Sequence, residues 1–449
     1  MIIRLTPIGS DLEREYYPYK IGDGMFISSV DKENGSVQIP LELDRNGIFH
    51  LVDYSQFKES HEVVDERLLG LTEEWMESNA SGFEAESTAD ESVRQPGYSP
   101  DDIFVENKPF SLKQLVELMD TGDIELEPSF QRNFVWDKTR QSKLIESIFL
   151  GLPLPSIYLS QYSDGTLTIV DGLQRLSTIR AFVKDQLVLT NLEYLKECNG
   201  KRFSQLNEVL SLLSIRRFYQ TQIMCFVIDY RSPAKLKYDL FRRLNTGGKP
   251  LNNQEIRNCL SRPLLRETLL KMIKSDAFKK ATSGSVRDTR MDAQEVALRF
   301  MYFYDQYTVE NPIGQYNGNM DDSLDGYVES MNTKKDFTTY IEVYERSLED
   351  AFRLFGGYAF RKVKPNYRNE NRTPINKLLM LAITVVLAKN RDLYYNSLLT
   401  GKDLTPFLSE LIENDQDFFR AITWSTNSRW NVIYTMQEIK NRLFDLYLR

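Results

Sequence analysis

The chain reads as an α/β domain followed by an all-helical domain, with a small β-rich module ahead of both. Three observations predict this. Residues 106–262 alternate short β-branched runs with amphipathic helical spacing. Beyond Ser261 the strand signals stop while helical periodicity continues, and the first 77 residues carry short apolar runs separated by Asn-Gly pairs. With 449 residues, of which 24 are Tyr and 25 Phe, the chain has apolar mass for several cores.

Element by element, Met25–Val30, Ser36–Leu43 and Ile48–Tyr54 read as strands, with Asn34-Gly35 and Asn46-Gly47 as hairpin turns and a helix over Val64–Glu77. Residues 1–77 are therefore expected to form a module. Residues 78–105, rich in Ser, Ala, Glu, Asp, Gly and Pro, read as a flexible acidic linker. In the α/β domain, helices are expected over Phe110–Met119 (with Ser111 as cap), Lys138–Leu150, Leu173–Lys184 and Ala234–Leu244, and strands over Ser156–Leu159, Thr166–Val170 and Thr221–Asp229. Asn252 followed by Glu255 predicts a capping box. Over 263–449, helices are expected at Met291–Tyr307, Phe337–Leu354, Ile375–Lys389, Leu404–Asn414 and Trp430–Leu448.

Composition excludes several function classes. The longest strongly apolar run, Leu378–Ala388, falls well short of the roughly 20 residues that span a bilayer, so no membrane association is expected. Met1-Ile2-Ile3-Arg4 leads into polar residues rather than a signal-peptide core, which makes the cytoplasm the expected location. Cys198, Cys225 and Cys259 show no CxxC pairing and read as buried thiols. The two histidines, His50 and His61, both lie in the N-terminal module, so the body of this chain cannot supply an HNH centre, a His-ligated metal or a His-based triad. Residues 1–105 hold 22 acidic against 8 basic side chains, net -14, which leaves +6 for the rest. An acidic leader on a mildly basic body is compatible with shielding of an anion-binding surface, and equally with a solubilising extension.

Four stretches place polar groups where strands or helices end: Gln131-Arg132-Asn-Phe-Val-Trp136, Gly151-Leu-Pro-Leu-Pro155, Asp171-Gly172-Leu173-Gln174-Arg175-Leu-Ser-Thr178 and Asn245-Thr246-Gly247-Gly248. In the third, a buried strand runs through Asp-Gly straight into a helix whose N-terminal amides suit a phosphate. Arg175 could grip phosphate oxygens and Asp171 a divalent cation. Taken alone, the alternative has equal weight: Asp171 caps the helix and Arg175 pairs with an acidic neighbour. The Asn-Thr-Gly-Gly turn is either a helix stop or an anion nest.

In order and spacing these stretches, with Leu144-Ile-Glu-Ser-Ile148 and Glu255-Ile-Arg-Asn258, resemble the N-terminal domain family of the GmrSD type IV restriction endonucleases, of the ParB/sulfiredoxin-like superfamily. The resemblance covers about residues 106–262. It implies a ParB-like nucleotide-binding domain in DNA restriction or anti-phage defence, using an NTP with Mg²⁺. By position, Asp171, Gln174 and Arg175 become the catalytic residues, with Asp171 on the metal. Gln131, Arg132, Gly172, Thr178 and the Asn245, Thr246, Gly247 and Gly248 turn join Arg175 around the nucleotide. Leu173 departs from the pattern by replacing the first Gln of the usual pair, which bears on hydrolysis more than on binding. Many relatives carry or partner an HNH nuclease; here a partner nuclease or defence subunit is implied instead, with room for a homo-oligomer.

Separately, Arg353–Arg372 interleaves basic and aromatic residues, which makes Arg361, Lys362, Lys364 and Arg368 candidate DNA contacts or a solvated basic loop. Three functions remain from this reading. The first is an NTP-dependent defence component, the second a metal-dependent DNA nuclease without histidines, and the third a non-enzymatic DNA- or partner-binding regulator with a degenerate nucleotide pocket.

Overall fold

The computed structural model describes residues 3–21, 24–31, 35–44, 48–84, 99–126, 136–244, 251–363, 365, 368 and 372–448. The chain divides into two compact units. One comprises Met1–Arg94, Pro263–Leu324 and Lys334–Arg449, and the other Gln95–Arg262 with Asp325–Thr333.

The N-terminal residues form a five-stranded antiparallel meander in chain order: β1 (Ile3–Leu5), β2 (Arg14–Ile21), β3 (Gly24–Asp31), β4 (Gly35–Leu43) and β5 (Phe49–Leu51). Alternate residues Ile3 and Leu5, Ile39 and Leu41, and Phe49 and Leu51 enter one core. Helix α1 (His61–Ser81) covers that core with Val64, Leu68 and Leu71, spaced to share one helix face. Two strands were not legible in the sequence. The first is three residues long, and β2 contains Pro18; because β1 pairs only as far as Tyr16, Pro18 lies where β2 has one neighbour. Both Asn-Gly turns include residues outside those described. Helix α1 continues past the expected linker start at Ser78. Beyond it, Gly82 accepts a hydrogen bond from Ile375 N (2.9 Å) and Glu84 N donates to Ile375 O (2.8 Å), so order extends through Glu84.

In the second unit, β6 (Val105–Ser111), α2 (Leu112–Thr121), β7 (Ile124–Glu125), α3 (Lys138–Phe149), β8 (Ile157–Gln161), β9 (Leu167–Asp171), α4 (Leu173–Val183), α5 (Leu212–Gln220), β10 (Gln222–Ile228), α6 (Ala234–Leu244) and α7 (Asn253–Leu260) build a mixed sheet of order β6-β10-β8-β9-β7. Strand β10 runs parallel to β8, and β7 parallel to β9, while β8 and β9 form an antiparallel pair. Ile157, Leu159, Leu167, Ile169, Ile223, Cys225 and Val227 point to one face and meet α2–α5 in a single core. The other face of β9 receives α7, with Thr168 Oγ1 donating to Cys259 O (3.2 Å). Ser111 caps α2 in a capping box with Gln114, and Asn252 caps α7 with Glu255. Strand β6 escaped the sequence reading because its first five residues are exposed, with Glu106, Asn107 and Lys108 polar and Pro109 among them, and it pairs with β10 at the sheet edge.

The remaining helices are α8 (Pro263–Lys274), α9 (Asp276–Ala281), α10 (Asp292–Gln306), α11 (Met320–Met331), α12 (Thr338–Phe355), α13 (Lys377–Thr400), α14 (Thr405–Asn414), α15 (Gln416–Ala421), α16 (Arg429–Glu438) and, after a π-helical turn over Ile439–Phe444, α17 (Asp445–Leu448). The apolar run Leu378–Leu387 buries α13 against α10, α12 and α16. At Asn390 (φ -121°) α13 kinks, and Asn390 Nδ2 donates to Val386 O (2.9 Å). Among the described residues no helix is long and apolar enough to cross a membrane.

Candidate nucleotide site

The strand-to-helix junction after β9 turns on Gly172, whose φ of +103° is a left-handed conformation that glycine adopts without strain. A Cβ there would sit 2.9 Å from Ile157 Cγ1 and 3.2 Å from Arg175 Nη2, so the packing also demands glycine. Gly172 is the N-cap of α4, not Asp171, and it offers no side chain to the first-turn amides.

Asp171 is engaged elsewhere. Its Oδ2 accepts from Arg175 Nη2 at 2.8 Å, one helical turn along the chain. The same guanidinium donates to Ser156 O (3.0 Å) and to Pro155 O. The two residues expected to meet a nucleotide thus meet each other, with the Arg175 side chain 11% exposed and that of Asp171 33%. This pairing also explains the Gly-Leu-Pro-Leu-Pro stretch, whose last carbonyl lies against Arg175. Asp171 Oδ1 has no hydrogen-bond partner among the described residues and remains open to a ligand.

Gln174 Oε1 accepts from Trp136 N (3.2 Å), and Gln141 Nε2 donates to Trp136 O (3.0 Å), so the Gln-Arg-x-Phe-x-Trp stretch ends against the first turn of α4. The Arg140 guanidinium lies 4.8 Å over the Trp136 ring. Gln131 and Arg132 lie outside the described residues. Asn245, Thr246, Gly247, Gly248 and Lys364 also lie outside the described residues. Thr178 is 2% exposed and buried between helix and sheet, so it is not presented to a ligand, contrary to expectation. Leu173 packs against the main core of the unit.

Glu146, the Glu of the Leu-Ile-Glu-Ser-Ile stretch, is a structural residue that the sequence did not distinguish. Its carboxylate accepts from the amides of Tyr194 (2.7 Å), Leu195 (2.9 Å) and Glu193 (3.3 Å). Burial pushes this carboxyl up, but the three amides outweigh burial and hold it below the ordinary glutamate range.

A second missed feature surrounds Arg257. Its side chain is 0% exposed and donates through Nε to Asp325 Oδ1 (2.7 Å). Arg242 Nη2 reaches Asp325 Oδ2 (3.0 Å), and Lys237 pairs with Glu329 (3.0 Å). Burial, and then the charges of Asp325 and Glu329, push the Tyr238 hydroxyl well above its ordinary pKa. The Glu-Ile-Arg-Asn stretch was legible; its counter-charge, 68 residues further on, was not.

The expected DNA contacts of the helical region divide. Arg361 is 3% exposed and spends its donors on Gly357 O (3.2 Å), Thr282 O (3.1 Å), Ser285 Oγ (2.7 Å) and Thr373 O, so it cannot touch a phosphate. Lys362 is paired with Glu84 at 2.8 Å. Arg368 has a 75% exposed side chain, 4.0 Å from Asp403.

Burial raises the Cys198 and Cys225 thiols to about 11 and removes them as nucleophiles. No group of three His, Cys, Asp or Glu side chains among the described residues is placed to hold a metal ion.

No curated protein matches the chain. The unit built around Asp171 and Arg175 does have a counterpart: residues 112–261, from the first residue of α2 to the residue after α7, match the family model of the GmrSD restriction endonuclease, N-terminal domain.

Proposed function

We propose that this chain is a nucleotide-binding, NTP-hydrolysing component of a DNA restriction or anti-phage defence system, acting in the cytoplasm on a ParB-like α/β domain and relying on a partner nuclease. The observation that carries the reading is the Asp171-Gly172-x-Gln174-Arg175 junction, inside the matched span, where a strand end, an uncapped helix N-terminus and a partly exposed carboxylate coincide. A Mg²⁺ ion fits the donors present, since it needs one or two carboxylates beside phosphates and water, and Asp171 Oδ1 is open. The ion would neutralise phosphate charge. Arg175 fixes Asp171 through Oδ2 and anchors Pro155 and Ser156, which makes it a positioning residue in this arrangement. Gln174 joins α4 to Trp136.

One alternative has its own support. Arg175 is already held by three acceptors, and Leu173 is packed into the core where the family pattern has Gln. Both favour a regulator that binds DNA or a partner with a degenerate nucleotide pocket.

Binding and hydrolysis of the four NTPs with Mg²⁺, with and without DNA, separates the two. The test compares the wild type with Asp171→Ala, Arg175→Ala and Leu173→Gln. Turnover abolished by Asp171→Ala supports the enzyme. Binding without turnover, restored to turnover by Leu173→Gln, supports a nucleotide sensor. Absence of binding to every NTP refutes the nucleotide reading and leaves the regulator.

A further inference from the structure

Arg361 poses an electrostatic problem. A guanidinium 3% exposed normally faces a carboxylate, because an isolated buried cation is costly. No described carboxylate lies within ion-pair distance of it, and carbonyls and one hydroxyl supply its hydrogen bonds. Burial, then the nearby Arg372, pulls its pKa down to about 10, so it stays charged at neutral pH.

The surface above it is also cationic. Arg372 is exposed and lies 5.3 Å over the Tyr358 ring, with its guanidinium against Gly357. Gly357 O accepts from Arg361 Nε (3.2 Å) and from Ser283 Oγ (3.4 Å), which brings this turn onto residues 282–285. The same turn closes α9: Ser283 N donates to Lys280 O (3.0 Å) and Gly284 N to Lys279 O (2.8 Å). Lys279, Lys280 and Arg287 flank it and are exposed. Neither Lys280, Arg287 nor Arg372 has an ion-pair partner among the described residues, and Lys279 reaches only the exposed Asp276, at 3.8 Å. Of the nearby acidic groups, Glu84 is committed to Lys362 and Asp288 to Ala293 N and Gln294 Nε2, while Asp276 shares the field of Glu345 and Glu349 on α12.

We propose that Lys279, Lys280, Arg287 and Arg372 form a surface that holds the sugar–phosphate backbone of duplex DNA, with buried Arg361 strengthening its positive potential from beneath. A polyanion fits better than a protein partner because the surface lacks apolar anchors. Among the described residues, no large hydrophobic side chain is exposed between Leu264 and Val309 or from Arg353 to Asn376. The surface rests on the reading that this chain acts on DNA. It replaces Arg361 and Lys362 as contacts.

The test is fluorescence anisotropy with a labelled duplex of about 20 base pairs at about 0.1 M salt, using the full chain and the triple variant Lys280→Glu, Arg287→Glu, Arg372→Glu. All three side chains are exposed, and a thermal melt matching the wild type establishes that the fold is intact. The expected result is a loss of affinity of more than about tenfold, with a log affinity against log salt slope shallower by about 2–3. Lys113→Glu, an exposed reversal in the other unit, is expected to leave affinity unchanged. Equal binding by wild type and triple variant overturns the surface while leaving DNA action standing. No binding by the wild type overturns both.

Discussion

Replacing Asp325 with alanine removes a carboxylate that faces both Arg257 and Arg242, at 2.7 and 3.0 Å. The Arg257 side chain is 0% exposed and that of Asp325 4%, so water cannot take over the lost contact. At an effective dielectric constant of about 20, a pair at about 4 Å is worth about 4 kcal/mol. Breaking buried pairs by removing one partner costs about 3–5 kcal/mol, so Asp325→Ala is expected to destabilise the α/β unit by that amount. With a slope of about 2 kcal/mol/M, the urea midpoint falls by about 1.5–2.5 M. The assay is urea unfolding, with hydrogen exchange on peptides from α6 and α7 to place the loss in this unit. The double variant Asp325→Ala, Arg257→Met is expected to recover part of the stability, because an apolar side chain of similar length leaves no charge to compensate. A destabilisation below about 1 kcal/mol in the single variant would refute the reasoning, since Arg257 would then have another counter-charge.

Other outcomes follow from the same geometry. Glu146→Gln is expected to cost about 2 kcal/mol at pH 7 by weakening three amide contacts to a charged acceptor. Because the folded carboxyl sits below its ordinary value of 4.5, that stability is present above the unfolded pKa and is lost as pH falls through the folded one. The gap between wild type and variant, followed by urea titration across the acid range, must therefore shrink with falling pH. Gly172→Ala is expected to cost about 1–3 kcal/mol from the left-handed backbone alone, read as a fall in midpoint. In native protein near neutral pH, a thiol reagent is expected to label Cys198 and Cys225 only after denaturant is added, since both are buried with thiols raised to about 11.

What the sequence disclosed and what it concealed divide along physical lines. Helix α13 was legible because an unbroken apolar run has one reading at its length, and the strands β8, β9 and β10 because β-branched alternation met Gly and Asp stops. The cap at Ser111 and the capping box of Asn252 with Glu255 were legible because the groups involved lie within three residues. Strand β6 was not, since an edge strand buries little and its identity comes from β10, more than 100 positions later. At the candidate site the motif marked the β9–α4 junction and left two roles for Arg175. Geometry selects the ion pair with Asp171, an i,i+4 contact that spacing alone allows but cannot distinguish from solvent exposure. Arg361 misled for the opposite reason: a basic residue among aromatics looks like surface, and only the carbonyls of residues 282, 357 and 373 show it to be interior.

The return of Asp325–Thr333 to the α/β unit bears on how the molecule is made. A nascent chain grows from its N-terminus, so α7 leaves the ribosome with Arg257 already in place and its carboxylate not yet synthesised. At about 5–20 residues per second, the roughly 70 residues still to come take several seconds. During that interval the sheet can assemble, but the α6–α7 layer lacks the Asp325 contact to Arg257. Slowing translation after residue 262 should therefore prolong a protease-sensitive α6–α7 layer, and supplying an excised α11 segment in trans to a chain released at 262 should shorten it.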